Sequence, residues 1–169
     1  MEQKTQLIES AKRTITLERD AISALLPRID ESFAKACELI LNCKGRVVVT
    51  GMGKSGHIGT KLAATLASTG TPAFFVHPGE ASHGDLGMIT GDDAVIAISS
   101  SGSTGELVTI LPLIKRKGAS LISMTGNADS TLARQAHANL DIYVAEEACP
   151  MGLAPTSSTT ATLVMGDAL

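Results

Sequence analysis

Tryptophan is absent, and aromatic residues make up only 2% of the 169 residues. Basic residues number 14 against 17 acidic ones, for a formal charge of −3. The chain therefore lacks both the basic face and the stacking rings that a nucleic-acid binder uses. Long hydrophobic runs are missing too. Stretches such as Arg46–Thr50 and Ala94–Ile98 fall far below the roughly 20 residues of a membrane span, so no membrane association is expected. The opening residues, Met1-Glu-Gln-Lys-Thr-Gln, lack the basic-then-apolar layout of a secretory signal, and the expected compartment is the cytoplasm. Cysteine is scarce and odd in number. Cys37, Cys43 and Cys149 form no Cys-x-x-Cys pair and have no histidine at ligand spacing, which argues against a disulfide scaffold or a zinc knot. What is present is 44% hydrophobic residues in a length that suits one globular domain.

The apolar residues between Thr5 and Leu26 recur at three- and four-residue spacing, which predicts an amphipathic helix ended by Pro27. A second helix is predicted over roughly Arg28 to Asn42, stopping near Lys44-Gly45. Residues 1–44 thus form a helical pair, and the surplus apolar face of the first helix makes it a candidate subunit surface. From Gly45 on, short β-branched runs at Arg46–Thr50, Ala73–Val76, Ala94–Ile98, Ser120–Met124 and Asn139–Val144 alternate with helical stretches near Ile58–Ser68, Glu106–Lys117, Ser130–Ala136 and from Thr156 onward. Near-continuous apolar strands alternating with helices predict an α/β fold, with a five-stranded parallel sheet covered on both faces in a three-layer αβα sandwich. The tail, Leu163 to Leu169, is helical in pattern and uncapped, as in a domain cut from a longer chain.

Ligands of such folds sit at the carboxyl ends of the strands, so the loops at 51–57, 77–88, 99–106, 125–129 and 145–157 are where chemistry is expected. The first, Gly51-Met-Gly53-Lys54-Ser55-Gly56, satisfies G-x-G-x-x-G. The acidic residue that a dinucleotide needs near the end of the next strand is absent, since Phe74-Phe75-Val76 runs into His77-Pro78. A triphosphate loop would require glycine where Val48 stands. What remains is a turn, including Gly53 and Ser55, whose backbone can approach an anion, with the Lys54 ammonium at its mouth.

The loop after the third strand is sharper. Ser99-Ser100-Ser101-Gly102-Ser103-Thr104 puts five hydroxyls in six residues at a strand end just before a helix. Hydroxyl donors and the free N–H groups of a first helical turn can surround a phosphate without a metal. A blander account is available: Ser103-x-x-Glu106 is a capping box, and serines populate turns. Five hydroxyls exceed what one cap requires. Thr156 or Ser157 is the expected N-cap of the last helix, in a hydroxyl-rich segment that either completes the pocket or serves capping alone. His57 could reach the pocket. His77, before Pro78, reads as structural, and His137 as a surface or helix-end residue.

These motifs together resemble a known family. The Gly-Met-Gly-Lys-Ser-Gly turn, the Ser-x-Ser-Gly-x-Thr cup, the segment Phe75-Val-His-Pro-Gly-Glu-Ala-Ser-His-Gly-Asp-Leu-Gly87 and the segment Glu147-Ala-Cys-Pro-Met-Gly-Leu-Ala-Pro-Thr-Ser-Ser-Thr-Thr160 are similar to sugar isomerase (SIS) domains, in the branch of the bacterial arabinose-5-phosphate isomerases. The resemblance extends over nearly the whole chain. It implies interconversion of D-ribulose 5-phosphate and D-arabinose 5-phosphate, which leads to the octulosonate sugar of lipopolysaccharide, by a cytoplasmic homotetramer that needs no cofactor and no metal. It places the catalytic set on Lys54, His83 and Glu106, and the phosphate cup on Ser99, Ser101, Ser103 and Thr104, with Ser100 beside them. It also implies a further histidine in a Ser-His-Pro-Gly-Gly stretch beyond residue 169, and a pair of cystathionine-β-synthase-type modules that follow the SIS domain.

Such an isomerisation needs a base, a group to stabilise the enediolate oxygen and a proton shuttle. Glu106 suits the base, Lys54 the carbonyl oxygen and His83 the shuttle or ring opening, although His83 and Glu106 can exchange roles. The plainer readings are a solvated lysine, a carboxylate favoured by the helix dipole, and a turn histidine that is a candidate ligand for a stray divalent ion. Two other functions compete. One is a sugar-phosphate-binding SIS domain without catalysis, and the other is an isomerase of a different phosphosugar.

Overall fold

The computed structural model describes residues 2–169, apart from the side chains of Glu2, Ser82, His83 and Asp85. Helix α1 (Glu2–Ser23) ends short of the expected Leu26, and Pro27 lies in a 3-10 turn, Leu26–Arg28. Helix α2 (Glu31–Leu41) starts three residues later than the pattern suggests. Asp30 accounts for this, because its carboxylate accepts the Ser32 and Phe33 N–H groups at 2.8 and 3.4 Å and so sets the N-cap.

The core follows as β1 (Val47–Gly51), α3 (Gly53–Ser68), β2 (Ala73–Val76), α4 (Pro78–His83), β3 (Ala94–Ile98), α5 (Gly105–Lys117), β4 (Ser120–Thr125), α6 (Thr131–Gln135), β5 (Ala138–Asp141) and α7 (Ser157–Ala168). The five strands are all parallel, in the order β2-β1-β3-β4-β5. Alternate residues of β1, β3 and β4 supply two cores, and β5 faces only the first. Val47, Val49, Ile96, Ile98, Ile122 and Met124 meet Ala36 of α2, Leu62 and Leu66 of α3, and Ala161 and Met165 of α7. On the other face, Val48, Val95, Ala97 and Leu121 meet Ala81 of α4, Leu107, Ile110 and Ile114 of α5, and Leu132 of α6. Both faces are dry, which is why the strands read as continuous apolar runs rather than as alternating ones. The free edge of β5 is closed by α2, whose Ser32 hydroxyl accepts the Asn139 N–H at 3.0 Å and donates to the Asn139 carbonyl at 2.9 Å. Among the described residues, no helix is long and apolar enough to cross a membrane.

Three further differences from the sequence pattern lie in the core. α3 begins at Gly53 rather than Ile58, so the glycine turn is the helix's own first turn. β5 stops at Asp141 rather than Val144, because the Asp141 carboxylate accepts the Tyr143 N–H at 2.8 Å and turns the chain out of the ladder. The stretch expected as the loop 77–88 folds into α4 and a 3-10 turn, Asp85–Met88. There His77 is the N-cap, its Nδ1 accepting the Gly79 N–H at 3.2 Å, and Pro78 occupies the first helical position, where no N–H is needed.

At the amino end of the sheet the buried Asp93 carboxylate accepts N–H groups from Arg46 and Thr90, both at 2.7 Å, tying β1 to β3. Burial alone would raise its pKa. The hydrogen bonds from Arg46 and Thr90 and the Arg46 charge outweigh that, leaving the carboxyl below its ordinary range.

Helix α3 lies close against β1 because two glycines meet there. A Cβ on Gly56 would stand 2.7 Å from the Gly51 carbonyl oxygen and 3.3 Å from the Phe75 ring. Gly56→Ala gains up to ~1 kcal/mol of helix propensity. It must also push the helix off a backbone atom, at a cost of ~1–3 kcal/mol. Urea unfolding is expected to show a lower midpoint for Gly56→Ala; an unchanged or raised midpoint would show that the contact is not tight.

Candidate functional site

The strand order makes β1 and β3 neighbours although β2 lies between them in sequence, and the connections leave in opposite directions. The carboxyl ends of β1 and β3 therefore open a crevice at the switch point of the sheet. Two helices start on its rim. Met52 and Thr104, the N-cap residues of α3 and α5, make no side-chain capping bond, so the positive ends of both helices point at the crevice without a cap of their own.

The serine loop between β3 and α5 is braced from behind. Gly126 N–H and Thr125 Oγ1 both donate to the Ser100 carbonyl, at 3.0 and 3.1 Å, and the Leu132 N–H donates to the Gly102 carbonyl at 3.1 Å. Gly102 has φ +65°, and a Cβ there would overlap Ser130 Oγ at 2.0 Å, so this position admits only glycine. Within the loop, Ser99 Oγ is buried, accepts the Gly102 N–H at 3.1 Å and pairs with Thr104 Oγ1 at 2.8 Å. That pairing turns Thr104 away from α5, and the alternative capping box at Ser103 does not form because the N-cap is Thr104. Ser101 Oγ accepts the Ser103 N–H at 3.3 Å.

A cavity of about 400 Å³ is lined by Met52, Ser55, Ile98, Ser99, Ser100, Ser101 and Thr104. A second, of about 210 Å³, shares Met52, Ser55 and Ser100 with it and adds Lys54, Ile58, Pro155, Ser158, Thr159 and Thr162. The structure thus brings Lys54, Ser55, Ser99, Ser100, Ser101 and Thr104 to one crevice. Gly53, Ser103 and Glu106 border neither of these two cavities, and Glu106 is exposed on the first turn of α5, two residues past Thr104. The His83 side chain lies outside the described residues, and its backbone ends α4. His57 is exposed in α3 and lines neither cavity. His137 sits beside β4, its Nδ1 accepting the Leu121 N–H at 2.9 Å. A further cavity, of about 340 Å³, opens at the opposite end of the sheet beside Lys35, Lys44, Asp92 and Asp93, away from the strand-end loops.

The residue that sequence reasoning passes over is Glu147. Thr156 is the N-cap of α7, as expected, but its own side chain does not cap the helix. Glu147 Oε2 does so instead, accepting the Thr156 N–H at 2.7 Å, the Thr156 hydroxyl at 3.0 Å and the Ser158 N–H at 3.3 Å. Burial pushes this carboxyl up, yet the hydrogen bonds from Ser158 and Thr156 prevail and hold it below the ordinary glutamate range. No local spacing marks a cap contributed from nine residues upstream. The hydroxyl-rich helix start is the only signal, and it points to the recipients.

With this geometry in place, the comparisons with known proteins decide the family. The SIS domain family matches residues 40–169. The chain belongs to the SIS domain family. It is 69% identical over its whole length to the arabinose 5-phosphate isomerase KdsD of Pseudomonas aeruginosa, covering 52% of that protein, and 58% identical over 161 residues to KdsD of Escherichia coli, covering 49% of it. The chain spans about half the length of these curated relatives. A solved structure from Escherichia coli CFT073, in complex with arabinose 5-phosphate, superposes with a TM-score of 0.92 at 47% identity, over 97% of this chain and 87% of that chain.

The cap on α7 carries a pH signature. Because the folded-state pKa of Glu147 is depressed, its contribution is fully present above the ordinary glutamate range and is lost as pH falls through the folded value. Glu147→Gln is expected to cost about 1 kcal/mol near neutral pH, the usual worth of a helix cap. The gap in thermal midpoint between the two proteins should close as Glu147 protonates. A gap that persists undiminished at acid pH would contradict the assignment.

Proposed function

We propose that this SIS domain interconverts D-ribulose 5-phosphate and D-arabinose 5-phosphate through a metal-free enediol, supplying the precursor of the lipopolysaccharide octulosonate. The observation that carries this reading is the serine loop at the switch point, opening beside the uncapped starts of α3 and α5 with Lys54 on the same rim. The names of the curated relatives and the arabinose 5-phosphate held by the solved one support the choice of sugar.

The phosphate dianion takes hydroxyl and N–H donors of residues 99–105, with Ser55 opposite, where the helix dipoles favour negative charge. Anchored there, the sugar carbons extend along the rim between Lys54 and the first turn of α5. Glu106 removes a proton from C1 of the ketose as the C2 carbonyl becomes an enediolate, and Lys54 stabilises the developing oxyanion. Return of a proton to C2 and loss of the O1 proton leave the aldehyde. His83 moves protons between the two oxygens or opens the cyclic sugar, and it can exchange the base role with Glu106. No redox cofactor enters the balance, since one carbon is oxidised as its neighbour is reduced.

The working form is a homotetramer in the cytoplasm. Support comes from α1, whose Leu7, Ile8 and Ile15 stand 66%, 55% and 70% exposed, a stripe suited to burial against another subunit.

Glu106→Gln separates chemistry from binding. Turnover is expected to fall about 10²- to 10⁴-fold, the range of a lost general base. Binding of inorganic phosphate, followed by phosphorus NMR, should stay within a few-fold. Near-normal turnover would remove Glu106 from the mechanism.

A further inference from the structure

Between β5 and α7 the chain runs from Ile142 to Thr156 without helix or strand, and this segment carries Glu147, the cap of α7. A stretch of that length without backbone ladders depends on side-chain ties for its position. Besides the bonds of Glu147 and Ala148 to the start of α7, such ties come from the N-terminal helices and the turn between them. Arg28, at the end of the 3-10 turn, has a largely buried side chain and donates from Nη1 to the Tyr143 carbonyl. Its Nε lies 3.6 Å from the Asp141 carboxylate, and its Cζ stands 5.6 Å from the centre of the Tyr143 ring. Arg13 bonds Glu146 directly, and Thr160 Oγ1 of α7 donates to Glu18 at 2.8 Å. The Arg13 pair is half exposed and adds little by itself. Arg28 engages three groups at once with a planar fork that lysine cannot reproduce.

We propose that Arg28 is a positioning residue for the crevice. It fixes the segment that follows β5, and so the placement of the Glu147 carboxylate that caps α7, whose Ser158, Thr159 and Thr162 form the wall facing Lys54. The proposal rests on the isomerase reading for its effect on rate, but not for its effect on structure. Displacing the wall by a fraction of an ångström should slow the reaction without disturbing the serine loop on the far side of the crevice.

The test uses the full chain carrying Arg28→Met. Turnover is expected to fall about tenfold, while affinity for inorganic phosphate stays within twofold. The backbone amide resonances of Thr156 and Ser158 should move in the direction in which Glu147→Gln moves them, and those of residues 99–104 should stay in place. Arg28→Lys keeps the charge but not the fork; it should follow Arg28→Met, and it serves if the methionine variant fails to fold. Unmoved Thr156 and Ser158 amides overturn the proposal whatever the turnover, as do moved amides with unchanged turnover. If the unaltered chain has no turnover and these amides still move, the isomerase reading fails and the clamp stands.

Discussion

The crevice depends on how closely the backbone of α3 approaches the end of β1. Gly51 lies against the Ile98 carbonyl oxygen of β3, with 3.1 Å to a hypothetical Cβ, and against the Ser55 backbone at 3.2 Å. Gly56 in turn has no room beside the Gly51 carbonyl. Side chains at these places would hold the helix away from the sheet. Without them, the first turn of α3 sits directly over the switch point, opposite the start of α5, so that two positive helix ends face one small volume. That arrangement selects for an anion before any particular side chain is considered.

Hydroxyl chemistry then refines the selection. Ser99 and Thr104 bond each other rather than capping α5, and the loop they close is stiffened from behind by Thr125, Gly126 and Leu132. α7 is treated differently: Glu147 occupies its positive end. Two open helix ends and one closed by a carboxylate divide the crevice into a side that favours an anion and a side that does not. Lys54, on the cavity shared with α7, stands at the boundary between them.

Most of this is legible in the residues. Continuous β-branched runs predict the parallel sheet, since burial on both faces removes any alternation, and the density of serines marks the loop after β3. The failures are equally physical. The sequence pattern shows α4 as loop because only six residues form it, too few for a helical period, although His77-Pro78 is a start signal. It extends β5 three residues too far because Asp141 diverts the chain through its side chain, and apolar character in Tyr143 and Val144 says nothing of that. Glu147 is invisible in it because its partners lie nine and eleven residues ahead, joined across a loop that the N-terminal helices restrain. Local patterns report local forces, and a cap delivered from a distance leaves no trace in them. Position says least about Glu106, which faces solvent on α5 beyond the two cavities.

Residues 1–169 are proposed to carry enediol chemistry anchored by a phosphate. Incubating the chain with D-ribulose 5-phosphate in heavy water, in the presence of a chelator, and following the proton NMR spectrum tests it most directly. The expected product is D-arabinose 5-phosphate bearing solvent deuterium at C2. A chain that still binds phosphate and yields no product would contradict enediol chemistry within these residues.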